Sequence, residues 1–223
     1  MSPVHVVSRV ALPSIFTMMM AVCSPVGPAA ADPPPTQVIT AVAVGPNGQP
    51  VNGYHEVPPD GNLPAVNDCT TPSPSAVADN IYSCLPAVAD AGTCWPSTPG
   101  TLLCVDNPWD NRLNRVAYGG QLPPVLHPAT PDPFALVLDG GTRCTLRHGG
   151  AWGGRDDGYV GVYSCDSANP NTSVLWLPSQ GAGSCIDRSS LVWTVKVGQL
   201  GAANPHFPQP ETRAVTTVWF AGD

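Results

Sequence analysis

A mainly β fold is what this sequence predicts: a single antiparallel β-sandwich or barrel-like domain with long Pro/Gly-rich, disulfide-stapled loops and a short helix at most. Three observations carry that expectation. Proline and glycine supply 28 and 22 of the 223 residues, so regular elements must be short and turns frequent. From about residue 111 onward, β-branched and aromatic runs alternate with glycine-rich turns, the texture of short antiparallel strands. All but one of the 8 cysteines lie downstream of the N-terminal segment, and in an oxidising compartment they read as a disulfide framework.

Residues 1–31 have the order of a secretory signal peptide: a positive charge at Arg9, an apolar stretch over 10–23, then Pro28-Ala29-Ala30-Ala31 as an Ala-x-Ala site. Cleavage is expected near Ala31, which makes the protein secreted or cell-envelope associated. The apolar stretch falls short of the roughly 20 residues a bilayer-crossing helix needs, and no transmembrane helix is expected in the mature chain. Met20-Ala21-Val22-Cys23 offers the alternative of lipid anchoring at Cys23, against which the bulky Val22 argues.

Residues 32–59 are expected to be a Pro-rich segment with one edge strand over 38–44, ended by the turn Gly45-Pro46-Asn47-Gly48. Residues 60–223 form the disulfide-stapled β-domain, with Cys-rich loops over 60–110 and the β core over 111–223. Within the loops a short helix is expected near 75–82, and the repeated Leu-Pro-Ala-Val at Leu63 and Leu85 is short enough for coincidence. In the core, strands over 134–138 and 142–147 flank Asp139-Gly140-Gly141, where glycine can take the positive φ of a tight turn. Further strands fit 159–164, 173–177, 191–197 and 214–220. In the third of these, Leu191, Trp193, Val195 and Val197 share one face. Nearness in sequence pairs Cys69 with Cys84, Cys94 with Cys104 and Cys144 with Cys165. Cys185 is then unpaired, which opens the way to a disulfide-linked homodimer.

The formal net charge of −7 becomes −8 when Arg9 leaves with the signal peptide, and Lys196 is the only lysine. Nucleic-acid binding, which depends on clustered Lys and Arg, is excluded as an expectation. The most distinctive stretch is the glycine-rich loop over 143–158. Its candidate ligand-binding residues are Arg147, Trp152, Arg155, Asp156 and Asp157 with the adjoining Tyr159: aromatic faces, guanidinium forks and carboxylate acceptors of the kind that suit sugars or peptides. The same arginines and aspartates could instead pair with one another within a long hairpin.

No catalytic constellation emerges. Ala91-Gly92-Thr93-Cys94-Trp95 shares Cys-Trp with the nucleophile segment of papain-like proteases, but Val88 stands where that family has its oxyanion glutamine, and Cys104 is a natural disulfide partner. No serine sits in a Gly-x-Ser-x-Gly elbow. Asp139, Asp156 and Asp157 lack EF-hand spacing, the histidines His55, His127, His148 and His206 are scattered, and no metal or cofactor is expected. Asn171-Thr172-Ser173 fits the N-glycosylation pattern.

Three stretches carry a family resemblance: Cys144-Thr145-Leu146-Arg147-His148-Gly149-Gly150-Ala151-Trp152, Ile186-Asp187-Arg188-Ser189-Ser190 with the strand after it, and Val215-Thr216-Thr217-Val218-Trp219-Phe220-Ala221-Gly222. Over residues 134–223 the chain resembles uncharacterised exported proteins of mycobacteria and related actinobacteria, which implies location and lineage but no reaction. Three readings of function stay open at this level. One is a noncatalytic binding or structural module for an extracytoplasmic protein or glycan. A second is a hydrolase using carboxylates among Asp139, Asp156, Asp157 and Asp187. The third is a protease inhibitor presenting the loop over 96–100.

Overall fold

The computed structural model describes residues 33–59, 61–86, 90–150, 153–169, 171–180 and 184–223. The expected signal peptide, Cys23 and Trp152 lie outside them.

β1 (Gln37–Ala41) is followed by seven strands of one sheet: β2 (His55–Val57), β3 (Ala65–Val66), β4 (Asp68–Pro72), β5 (Tyr82–Leu85), β6 (Cys94–Pro96), β7 (Thr101–Asn107) and β8 (Arg112–Tyr118). Strands β4 to β8 form an antiparallel meander, and β2 and β3 both pair in parallel along β8. Then come β9 (Ala135–Leu138), β10 (Arg143–Leu146), β11 (Val160–Cys165), β12 (Thr172–Trp176), β13 (Ile186–Asp187), β14 (Thr194–Gln199) and β15 (Glu211–Ala221). The order β9-β10-β11-β12-β14-β15 closes on itself through the β15–β9 pairing, giving a six-stranded antiparallel barrel. β13 adds to β14, and β1 runs parallel to the C-terminal half of β15.

Alternation builds the barrel. Leu136 and Leu138, Cys144, Tyr163, Val174, Val195 and Val197, Val215 and Val218 point inward from successive strands and fill the interior. Fully buried Tyr163 satisfies its hydroxyl by donating to Pro133 O at 2.7 Å. The turn from β9 to β10 has Gly140 at φ 77° and Gly141 at φ 85°, the conformation expected there. β14 starts three residues later than its apolar pattern suggests. Leu191 is 77% exposed, while Trp193, Val195 and Val197 keep the expected inward face.

Two expectations are corrected. The stretch expected to be Cys-rich loops, 60–110, contains the strands β3 to β7, and β7 is buried on both faces: Leu102 and Cys104 join one cluster, Leu103 and Val105 another. Burial on both sides erases the polar alternation that marks a strand in sequence. Nor is there a helix near 75–82. Pro74 lacks an amide hydrogen, Ala76 N closes a single turn onto Ser73 O, and Val77 N donates to Ala221 O while Ala221 N donates to Ser75 O, so the segment turns once and then pairs with the end of β15. Among the described residues no helix is long and apolar enough to cross a membrane.

Disulfides join Cys69–Cys84, Cys94–Cys104 and Cys144–Cys165, each across neighbouring antiparallel strands with Cα atoms 4.3, 3.9 and 4.0 Å apart. These are the pairs that nearness in sequence suggests. Cys185 is free and packs half-buried against the barrel interior.

Candidate functional site

The expected ligand-binding residues divide between two places. Arg155, in the loop before β11, is 4% exposed. Its Nε and Nη2 fork onto the Asp157 carboxylate at 2.9 and 2.7 Å, Nη2 also donates to Pro208 O at 2.7 Å, and Nη1 donates to Gln199 O at 3.2 Å. The Phe207 ring stacks 5.4 Å away. The hydrogen bond from Arg155 holds the Asp157 carboxyl below its usual range. Every guanidinium nitrogen is thus engaged within the chain, and the pair fastens this loop to residues 207–208. Asp156 pairs with exposed His206 at 2.9 Å. Tyr159 belongs to a separate depression of about 360 Å³ that also contains Trp176, Asp187 and Lys196.

Arg147 lies elsewhere, on the wall of a cleft of about 310 Å³ between the barrel and the second sheet. The barrel side follows from strand alternation around one bridge. Cys144 turns inward to meet Cys165, so its neighbours Arg143 and Thr145 turn outward. Ser164, paired in register with Thr145, stands beside them. Arg147 donates from Nε to Ser164 Oγ at 2.7 Å, and burial lowers its guanidinium pKa. Asp166 Oδ1 accepts from Arg143 N at 2.6 Å.

The facing side comes from the second sheet. Thr93 precedes bridged Cys94, Val105 follows bridged Cys104, and Trp109 sits in the β7–β8 turn. That turn is set locally: Asn107 Oδ1 accepts from Asp110 N at 2.9 Å and Asn111 takes φ 50°. Trp109 meets Trp219 edge to face at 5.6 Å and carries the Arg143 guanidinium over its ring at 5.4 Å. At the rim, His148 Nε2 donates to Cys84 O at 2.9 Å, and a Cβ on Gly92 would come within 3.1 Å of the imidazole. Gly92 therefore allows the two sheets to approach here.

The other candidates are accounted for singly. Asp139 pairs with Arg213, and Asp187 accepts from Ser189 N in a local turn. With Asp156 and Asp157 already engaged, the four proposed hydrolase carboxylates have four separate sets of partners. The hairpin at 97–100 is pinned down: Ser97 Oγ donates to Gly48 O, and Arg115 Nη1 donates to Ser97, Thr98 and Thr101 while its Nε and Nη2 hold Glu56. Among the described residues, no group of three His, Cys, Asp or Glu side chains gathers as a metal site would require.

The cleft was only half legible. Arg147 is conspicuous in sequence, and the Arg143-Cys144-Thr145 alternation could have identified its neighbours. Thr93, Asn107 and Trp109 carry no comparable signal, because tertiary packing alone brings them opposite β10. No known family model matches this chain, and neither a curated protein nor a solved structure shows significant similarity to it.

Proposed function

We propose that this chain is a secreted or cell-envelope binding module without catalytic activity, and that its ligand occupies the cleft between the barrel and the second sheet. One observation carries the reading: the side chains of Arg143, Thr145 and Ser164 bring guanidinium and hydroxyl groups to one concavity, which Thr93, Asn107 and Trp109 line from the other side. A few placed polar groups beside an aromatic wall are the usual make-up of a small-ligand site. Bridged cysteines adjoin these residues on both sides, which supports a site preformed before the ligand arrives and so spared much of the ordering cost of binding. The separate engagement of the four aspartates supports binding over hydrolysis. Export through residues 1–31, and a lineage among exported actinobacterial proteins, belong to the same reading; three disulfides suit an oxidising compartment.

Affinity electrophoresis against a panel of cell-envelope and extracellular polysaccharides tests it, with Thr145→Trp as a variant that plugs the cleft. Retardation of the wild type and not of the plugged variant is the expected result. Binding unaffected by the plug, or turnover of any substrate abolished by one substitution, contradicts it. N-terminal sequencing of protein recovered outside the cell checks cleavage after Ala31.

A further inference from the structure

We infer that the cleft selects a carboxylate-bearing sugar, of uronate type, and that Arg143 is the residue that reads the carboxylate. The inference rests on the cleft reading above and deepens it.

Arginine usage across the fold sets Arg143 apart. Arg115, Arg155, Arg188 and Arg213 each pair with a carboxylate of the chain, Glu56, Asp157, Asp132 and Asp139 respectively. Acidic side chains outnumber basic ones 16 to 9, so intramolecular partners are plentiful. Arg143 nevertheless places its guanidinium over Trp109, and no hydrogen bond or ion pair to that guanidinium is found among the described residues. The nearby Asp166 carboxylate turns to the Arg143 backbone amide. A guanidinium attracted to a ring face keeps N–H edges with which it can donate to a carboxylate in bidentate fashion.

Sheet topology favours a sugar over an acidic peptide. An extended peptide gains much of its affinity by adding a strand to an open sheet edge. Here β10 is paired on both sides by β9 and β11, and β7 by β6 and β8. The cleft therefore presents strand faces, and recognition must come from side chains. The Thr93 hydroxyl bonds Ser73 and the Asn107 amide bonds Asp110, which leaves the hydroxyls of Thr145 and Ser164 as the polar groups offered by the strand faces. These can both donate and accept, as a polyol requires.

The test uses oligogalacturonate and its methyl ester, which share one carbohydrate frame and differ in the carboxylate charge. Isothermal titration calorimetry at low ionic strength is expected to show the acid form binding about tenfold or more tightly than the ester, the effect of one charge-assisted pair. Arg143→Gln should remove that preference without abolishing residual binding, and Arg143→Lys should keep part of it; unchanged circular dichroism and melting temperature confirm that both variants fold. Equal binding of acid and ester, or a preference that survives Arg143→Gln, overturns the inference and leaves the cleft reading standing. Failure of the wild type to bind these two sugars, while a neutral polysaccharide is retained in a plug-sensitive way, also overturns the inference alone. Failure to retain any polysaccharide overturns both.

Discussion

Arg155 is a cation almost without solvent contact, and Asp157 is what makes its burial tolerable. Removing one partner of a buried pair leaves the other desolvated and unmatched, which costs more than the pair itself contributes. Asp157→Asn is therefore expected to lower the unfolding free energy by about 3 kcal/mol at neutral pH, measured by urea denaturation. The pH dependence follows from the direction of the shift. A carboxyl whose pKa is depressed in the folded state contributes its full stability above the unfolded value of about 3.9. That contribution is lost as the pH falls through the folded value, so the gap between wild type and Asp157→Asn should close in acid. A gap that stayed constant would mean the pair is not responsible. Cys185 makes the opposite case, a neutral group kept neutral. Burial foremost, with the charge of Asp132 behind it, pushes its thiol up to about 12. Because the thiolate is the reactive form, native protein should react slowly with Ellman's reagent and denatured protein at once. A disulfide-linked homodimer through Cys185 would require this half-buried thiol to leave the barrel wall; a monomer on nonreducing electrophoresis is the expected outcome.

At the scale of elements, the bridges and the strands explain each other. Each disulfide ties strands that already neighbour one another, which is why nearness in sequence suffices to pair them. The loops they close are short, with separations of 15, 10 and 21 residues. Replacing Cys144 and Cys165 together by alanine is expected to cost about 3 kcal/mol by restoring freedom to the unfolded chain. It should also loosen the outward set of Arg143 and Thr145, so ligand affinity ought to fall with the melting temperature. Loss of stability with affinity unchanged would show that the bridge does not shape the cleft. The same elements show what a sequence reveals. Strands such as β11 and β15 keep one face against the barrel interior and alternate visibly. β7 is apolar on both faces and hides among the cysteines. The region near residue 75 has a helical composition, but Val77 N is committed to Ala221 of β15 and Asn80 N to Val125, long-range partners that no local pattern announces. The cleft is hidden for that reason too: its wall at β10 is local, whereas its opposite wall at Trp109 depends on how two sheets stack.

Chain order makes the two sheets one folding unit. β1 pairs with β15 beside the barrel, and the whole second sheet lies between β1 and β9 in sequence, so both of its ends return to the barrel sheet. A shared cluster seals the joint: Trp95, Leu103, Val105 and Leu113 from one side meet Ala41, Phe134, Ala135 and Ala221 from the other. Trp95 Nε1 donates to Gly222 O at 2.8 Å and pins the chain just beyond β15. Neither sheet can open without exposing this cluster, so unfolding should be a single transition, with tryptophan fluorescence and far-UV circular dichroism giving coincident midpoints in denaturant. Leu103→Ala tests the coupling, since Leu103 is wholly buried in the second sheet and its truncation should cost about 3 kcal/mol. Hydrogen exchange should then quicken in β9 and β15 of the barrel as much as in β7, where the cavity lies. Protection lost from β4 to β8 alone, with the barrel amides unchanged, would mean that the sheets unfold independently and that the cleft between them can open without loss of either.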